Sequence, residues 1–180
     1  MEKKRQSAKR GRKTTVAQDK RLYTLEVFLT GGPLADEFVE HNPVVSRTIE
    51  IRGDQTLAEL HVAIFRAFDR EEQHMYEFQV GGRGPQDPNA TYYVLPIAMQ
   101  DAYSGSKPAG DVTRTQLGSI GLEVDDAFGY RFDFGDDWWH QINVVDIQPE
   151  APSGAYPRVI KRVGASPPQY DDWDEEEDDG

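Results

Sequence analysis

The sequence predicts an α+β fold: a mostly antiparallel sheet covered by one main helix, with a ββαβ, β-grasp-like start and a closing β-hairpin. Three observations carry this. Two β-rich runs, LYTLEVFLT from Leu22 and VVSRTIEIR over 44–52, precede the clearest helical pattern in the chain. That helix opens at Thr56, with Glu59 at capping-box spacing, and places Leu57, Leu60, Ile64 and Phe68 on one face. More strand patterns then follow without further long helices, which suits a helix laid on an antiparallel sheet better than parallel βαβ units.

The elements follow in order. The first strand stops at Gly31, Gly32 and Pro33, leaving room for one helical turn before Pro43. In the second strand Val45, Arg47, Ile49 and Ile51 alternate with Ser46, Thr48 and Glu50, and Gly53-Asp54 ends it. His61 falls in mid-helix, where packing or a surface position is its ordinary role. HMYEFQV (74–80) reads as a strand. GGRGPQDPNA has turn chemistry but no lysine after its glycines, so it is no phosphate-binding loop. YYVLPIAM (92–99) reads as an edge strand because Pro96 lacks a ladder donor. TQLGSIGL reads as a short helix weakened by two glycines. FGYRFDF (128–134) and WWHQINVVDI (138–147) are the last two strands expected.

Charge divides the chain into three parts. Residues 1–21 hold nine Lys or Arg against two acids and one aliphatic anchor, Val16, and read as a disordered basic arm. Residues 171–180 hold eight acids and no base, and read as a disordered acidic tail. Residues 22–170 form a single domain. The chain's net charge is −12 and residues 22–170 hold 22 acids against 11 bases, so the body of the protein repels nucleic acid and membrane surfaces, and only the arm could attract them, through Lys3, Lys4, Arg5, Lys9, Arg10, Arg12 and Lys13. The chain has no cysteine, which excludes disulfides, thiol catalysis and Cys-based zinc sites. No apolar run approaches the roughly 18 residues of a spanning helix, and no secretory leader is evident. The expectation is a cytoplasmic protein with no membrane association.

FDFGDDWWHQ (132–141) concentrates the chemistry. Gly135 and its neighbouring aspartates suit a hairpin turn, and the loop length decides what the turn can do. A two-residue loop at Asp136-Asp137 sets Asp133 opposite His140; one at Gly135-Asp136 makes them diagonal neighbours. A three-residue loop puts them on opposite faces. In the first two registers Asp133, Asp136, Asp137 and His140 are candidate ligands for a divalent metal, or Asp133 orients His140 as a catalytic base. Structural roles compete: aspartate is an ordinary turn residue, and a histidine–carboxylate pair is common. Tyr130, Phe132 and Phe134 are expected together on the core face. Trp138 and Trp139 point to opposite faces, one into the core and one available to a pocket or partner. His41 and His74 have no constellation around them.

Several stretches resemble one family: YTLEVFL, LAELHVAIFRAF, HMYEFQV, FGYRFDFGDDWWHQI and YPRVIKRVGASPPQY. Together they are similar to the plasmid pRiA4b ORF-3-like family, over about residues 22–170. The most specific run is matched by Tyr130, Asp133, Phe134, Gly135, Asp136, Asp137, Trp138 and His140. A second is matched by Tyr156, Pro157, Gly164, Ala165, Pro167 and Pro168, after which the chain departs from the pattern at Gln169 and Tyr170. The resemblance implies an α+β fold and association with mobile elements, where members are passenger proteins of insertion elements. The resolvase-like label some members carry (TnpR) finds no nucleophilic serine among arginines here and no helix-turn-helix pattern. The leading expectation is an accessory or interaction protein without independent catalysis. An unknown protein would be its partner, and Trp138, Trp139, Tyr156, Pro167 and Pro168 its candidate contact residues. The alternative is a metal-dependent hydrolase or nuclease-like enzyme using the hairpin.

Overall fold

Alternation writes the centre of the molecule. In β1 (Leu22–Gly31) Tyr23, Leu25 and Val27 are fully buried, while Thr24, Glu26 and Phe28 face the other way. In β7 (Trp138–Gln148) Trp138, His140, Ile142 and Val144 take the buried side. The structure, a computed structural model describing residues 18–100 and 108–170, pairs these two strands antiparallel, with Val27 opposite Ile142 and Leu25 opposite Val144. Around them lie β2 (Ser46–Arg52), β3 (Tyr76–Val80), β4 (Thr91–Val94), β5 (Gly110–Asp111), β6 (Ala127–Phe132) and β8 (Arg158–Val163). The order across the sheet is β5-β4-β3-β6-β7-β1-β2-β8. β4 and β5 run parallel and the other pairs antiparallel, so the sheet is mixed.

This overturns the expected architecture of a sheet covered by one main helix. The sheet has eight strands, about 34 Å across at ~4.8 Å per strand, whereas α2 (Leu57–Ala67) has 11 residues and is about 16 Å long. One such helix cannot roof that face. A second helix, α1 (Asp36–His41), precedes β2, and short 3₁₀ turns stand at Pro96–Gln100 and Leu117–Ser119. Val112, Leu117 and Leu122 complete the core beside α2. The β-grasp reading fails as well, because β7, not β3, lies beside β1. Nor does the β6–β7 hairpin close the fold: it is central, and β8 adds a last strand at the far edge. The run read as an edge strand over 92–99 ends at Val94 and turns into 3₁₀ structure at Pro96, whose missing N–H suits a turn.

Local signals place α2 firmly. The Thr56 hydroxyl accepts from Glu59 N–H, and the Glu59 carboxylate accepts from Thr56 N–H at 2.7 Å, a complete capping box. Leu57, Leu60, His61, Ile64 and Ala67 face the sheet. At Gly32 the chain lies directly against a core side chain: its φ is +150°, and a Cβ there would collide with the Trp138 indole. Of the arm expected over 1–21, the part within the described residues is tied to the fold. Arg21 bonds to Asp19 and to the Gly118 carbonyl, and Ala151 N–H donates to the Lys20 carbonyl. Lys3 through Lys13 and the tail at 171–180 lie outside the described residues.

Candidate functional site

The hairpin register answers the question posed by FDFGDDWWHQ. Tyr130 pairs with His140 and Phe132 with Trp138, so 133–137 form the connection. Asp133 and Asp137 both adopt left-handed backbone, with φ 60° and 55°, which aspartate tolerates better than most residues. Asp133 organises the loop: its N–H donates to the Met75 carbonyl, and its Oδ1 accepts from Gly135 N–H at 3.0 Å. Its other oxygen lies 3.4 Å from His74 Nε2, which is 2.7 Å from the Tyr170 hydroxyl.

The odd loop length separates the expected site residues. His140 shares the buried face with Tyr130 and Phe132, opposite to its expected side, while Asp133 belongs to the turn. Asp137 is held by Arg131, whose Nε donates to it at 2.6 Å. Asp133, Asp136, Asp137 and His140 therefore do not converge on one point. Among the described residues no group of three or more His, Asp or Glu is arranged to hold a metal ion. Phe134 leaves the core side as well; at 37% exposure it lies beneath Arg131, whose Cζ is 4.5 Å from the ring centre.

Under the hairpin lies a polar cluster in an apolar setting. His140 packs edge-on to Phe68, 5.0 Å between ring centres, and its Nδ1 is 3.4 Å from the Tyr130 carbonyl oxygen. Burial, helped by the charge of Arg70, pushes its imidazole down to about 3, so it is neutral at ordinary pH. Arg70, just past the end of α2, lays its guanidinium on the Trp138 indole, 3.8 Å from the ring centre. Burial lowers its pKa to about 10, which leaves it charged. Arg70 Nη1 and Nη2, Trp138 Nε1 and His140 Nε2 are buried without a hydrogen-bond partner among the described residues. Next to them His61 is fully engaged. Its Nδ1 is 2.7 Å from Tyr130 Oη and its Nε2 2.9 Å from Gln73 Oε1, and its ring stacks on Tyr76 at 3.7 Å. Burial pushes it down to about 4.

A strap closes this end of the fold. Arg47, fully buried on β2, donates to the carbonyls of Ser46, Ala67, Val163 and Gly164 and to Ser166 Oγ. It ties β8 and the residues after it to the end of α2. Gln169 accepts from Glu71 and Glu72 N–H and donates to the Glu72 carbonyl. Of the contact residues read from sequence, Trp138 is fully buried and Pro167, within the strap, is buried, so neither offers surface. Trp139 is half-buried on the outer face, Pro168 is exposed, and Tyr156 is half-buried, its hydroxyl donating to the Pro152 carbonyl.

The matches to known proteins run through this region. The family model described as plasmid pRiA4b ORF-3-like protein fits residues 37–172, from α1 through the strap. The chain belongs to that family. The uncharacterized protein y4hQ of Sinorhizobium fredii is 26% identical over 128 residues, 71% of this chain and 59% of its own length. The chain thus spans under two thirds of that relative. A crystal structure of a protein of unknown function from Methanosarcina mazei Go1 superposes with a TM-score of 0.62 at 21% identity, covering 83% of this chain and 73% of its own. That likeness is one of fold.

In this member of the pRiA4b ORF-3-like family, four side chains at the site escaped the sequence reading. Arg70 reads only as a helix terminator beside Asp69, and nothing local announces that it meets Trp138. Arg47 stands in an alternating strand at an inward position, and that position was the available signal. Gln169 and Tyr170 lie where the chain leaves the resemblance, yet they are what fastens the strap.

Proposed function

We propose that this protein is an accessory protein of a mobile element that acts by binding another protein and carries no catalytic centre of its own. The observation that supports this reading is the patch on the outer side of the hairpin. There Arg131 lies between Phe134 and Trp139, at 4.5 and 5.2 Å from their ring centres, with its charge held by Asp137. Aromatic side chains locked against a guanidinium present a large, rigid contact area at little entropic cost, the chemistry that dominates binding hot spots. The titratable groups of the hairpin support it too, because they serve the loop and the core rather than a shared reaction centre. No observation favours the hydrolase reading.

The test is affinity capture with the full chain and with Trp139→Ala from cells carrying the mobile element, at low and moderate salt. The reading expects a protein encoded by the element, captured by the wild type and reduced at least tenfold with the variant. Capture unaffected by the substitution, or none even at low salt, refutes it.

A further inference from the structure

The opposite side of the hairpin holds chemistry that the binding patch does not use, and it leads to an inference independent of that proposal. Arg70 is 7% exposed and remains charged, yet among the described residues no acceptor reaches Nη1 or Nη2. Stacking on an indole offsets only part of the cost of desolvating a buried cation. Natural interiors pair such a group. Trp138 Nε1 and His140 Nε2 beside it are buried and unpartnered as well, so two guanidinium N–H groups, an indole N–H and a neutral imidazole gather in one place. All the groups with a fixed role there are donors. The nearby carboxylates, Asp133 and Asp136, bear on the Arg70 charge only through space.

Beside Arg70 and His140 lies a gap lined also by Ile64, Phe65, Phe68, Tyr130 and Phe132, which closes to less than the width of a water molecule. Of these, Phe65 alone is half-exposed, so it is the lining side chain nearest to solvent. The Tyr130 hydroxyl is engaged by His61 and contributes nothing further. We propose that this is a binding site for a small carboxylate, held by the Arg70 fork with His140 beside it and admitted past Phe65. A flat carboxylate matches the planar fork through two parallel hydrogen bonds and needs less clearance than a tetrahedral phosphate. The apolar lining makes the pairing strong once formed, and discriminates against larger, hydrated anions.

The test is a sodium formate titration of the full chain at constant ionic strength, with chloride as the balancing anion. The readouts are the imidazole signals of His140 and the indole N–H of Trp138 by NMR. Formate is expected to shift both saturably while chloride does not, and to raise the pH at which His140 titrates. Arg70→Gln should abolish the response, and Arg70→Lys, which keeps the charge but loses the fork, should weaken it at least tenfold. Phosphate should compete poorly. No saturable shift in the wild type overturns the site, as does an equal shift in Arg70→Lys. The wild-type titration decides even if Arg70→Gln does not fold.

Discussion

Lowering the pH from 7.5 to 5.0 should cost this protein about 4 kcal/mol of stability through two histidines. His61 and His140 are both buried as neutral rings, with pKa values pushed down to about 4 and about 3 from an ordinary 6.5. A base with a depressed folded pKa takes up protons in the unfolded chain first. Its contribution is therefore complete above pH 6.5 and is lost as the pH falls toward the folded value. At pH 5 the unfolded chain has gained about 1.5 pH units of protonation free energy at each ring, or about 2 kcal/mol apiece. The surroundings hold the rings neutral. His140 faces Arg70, Phe68 and Tyr130, and His61 faces Tyr130, Gln73 and Tyr76, with no carboxylate among the described residues in contact with either.

The assay is urea unfolding of the full chain at both pH values, beside His140→Phe. Carboxylates across this acidic chain titrate too, so the comparison that counts is between the two proteins. The variant should lose about 2 kcal/mol less than the wild type over the same interval. Equal losses would refute the reasoning, since they would mean that His140 is solvated or protonated in the folded state.

Three further outcomes follow from the packing. Arg47→Met should destabilise the protein by about 3 kcal/mol in urea unfolding, because the buried Ser46 and Ala67 carbonyls, the part-buried Val163 and Gly164 carbonyls and Ser166 Oγ lose their common donor. Gln169→Ala should cost about 1–3 kcal/mol locally and speed hydrogen exchange at the Glu71 and Glu72 amides, with exchange in β1 unchanged. Trp138→Ala should cost about 3–5 kcal/mol in thermal or urea unfolding, while Trp139→Ala stays within about 1 kcal/mol.

What the sequence disclosed, and what it hid, divides by range. Thr56 and Glu59 act within one turn, so the helix start was legible from spacing alone. The inward run Val45, Arg47, Ile49 and Ile51 was legible because a strand repeats every two residues. The hairpin itself could be read, but not its register: one loop residue more or less exchanges the faces, and the left-handed aspartates at both ends of the loop made it five residues long. That single count moved His140 from a presumed site into the core and brought Phe134 out of it. The width of the sheet was hidden for a different reason. β5 has two residues and β8 is an edge strand carrying Arg158, Lys161 and Arg162, so neither shows a hydrophobic period. The meeting of Arg70 with Trp138 joins positions far apart in sequence, and no local pattern encodes it.

The place of β1 has a consequence for how the chain is made. It lies between β2, which follows it closely, and β7, whose residues pair with it from more than a hundred positions downstream. At synthesis rates of about 5–20 residues per second, one edge of β1 waits roughly 5–20 s for its partner. Throughout that time β1 has only β2 beside it in the sheet. Such long-range pairing slows folding and leaves an open strand edge exposed to other chains. Production at lower temperature or with chaperone support should therefore raise the soluble yield, and a circular permutant that starts at β6 and joins the two original ends through a flexible linker should need neither.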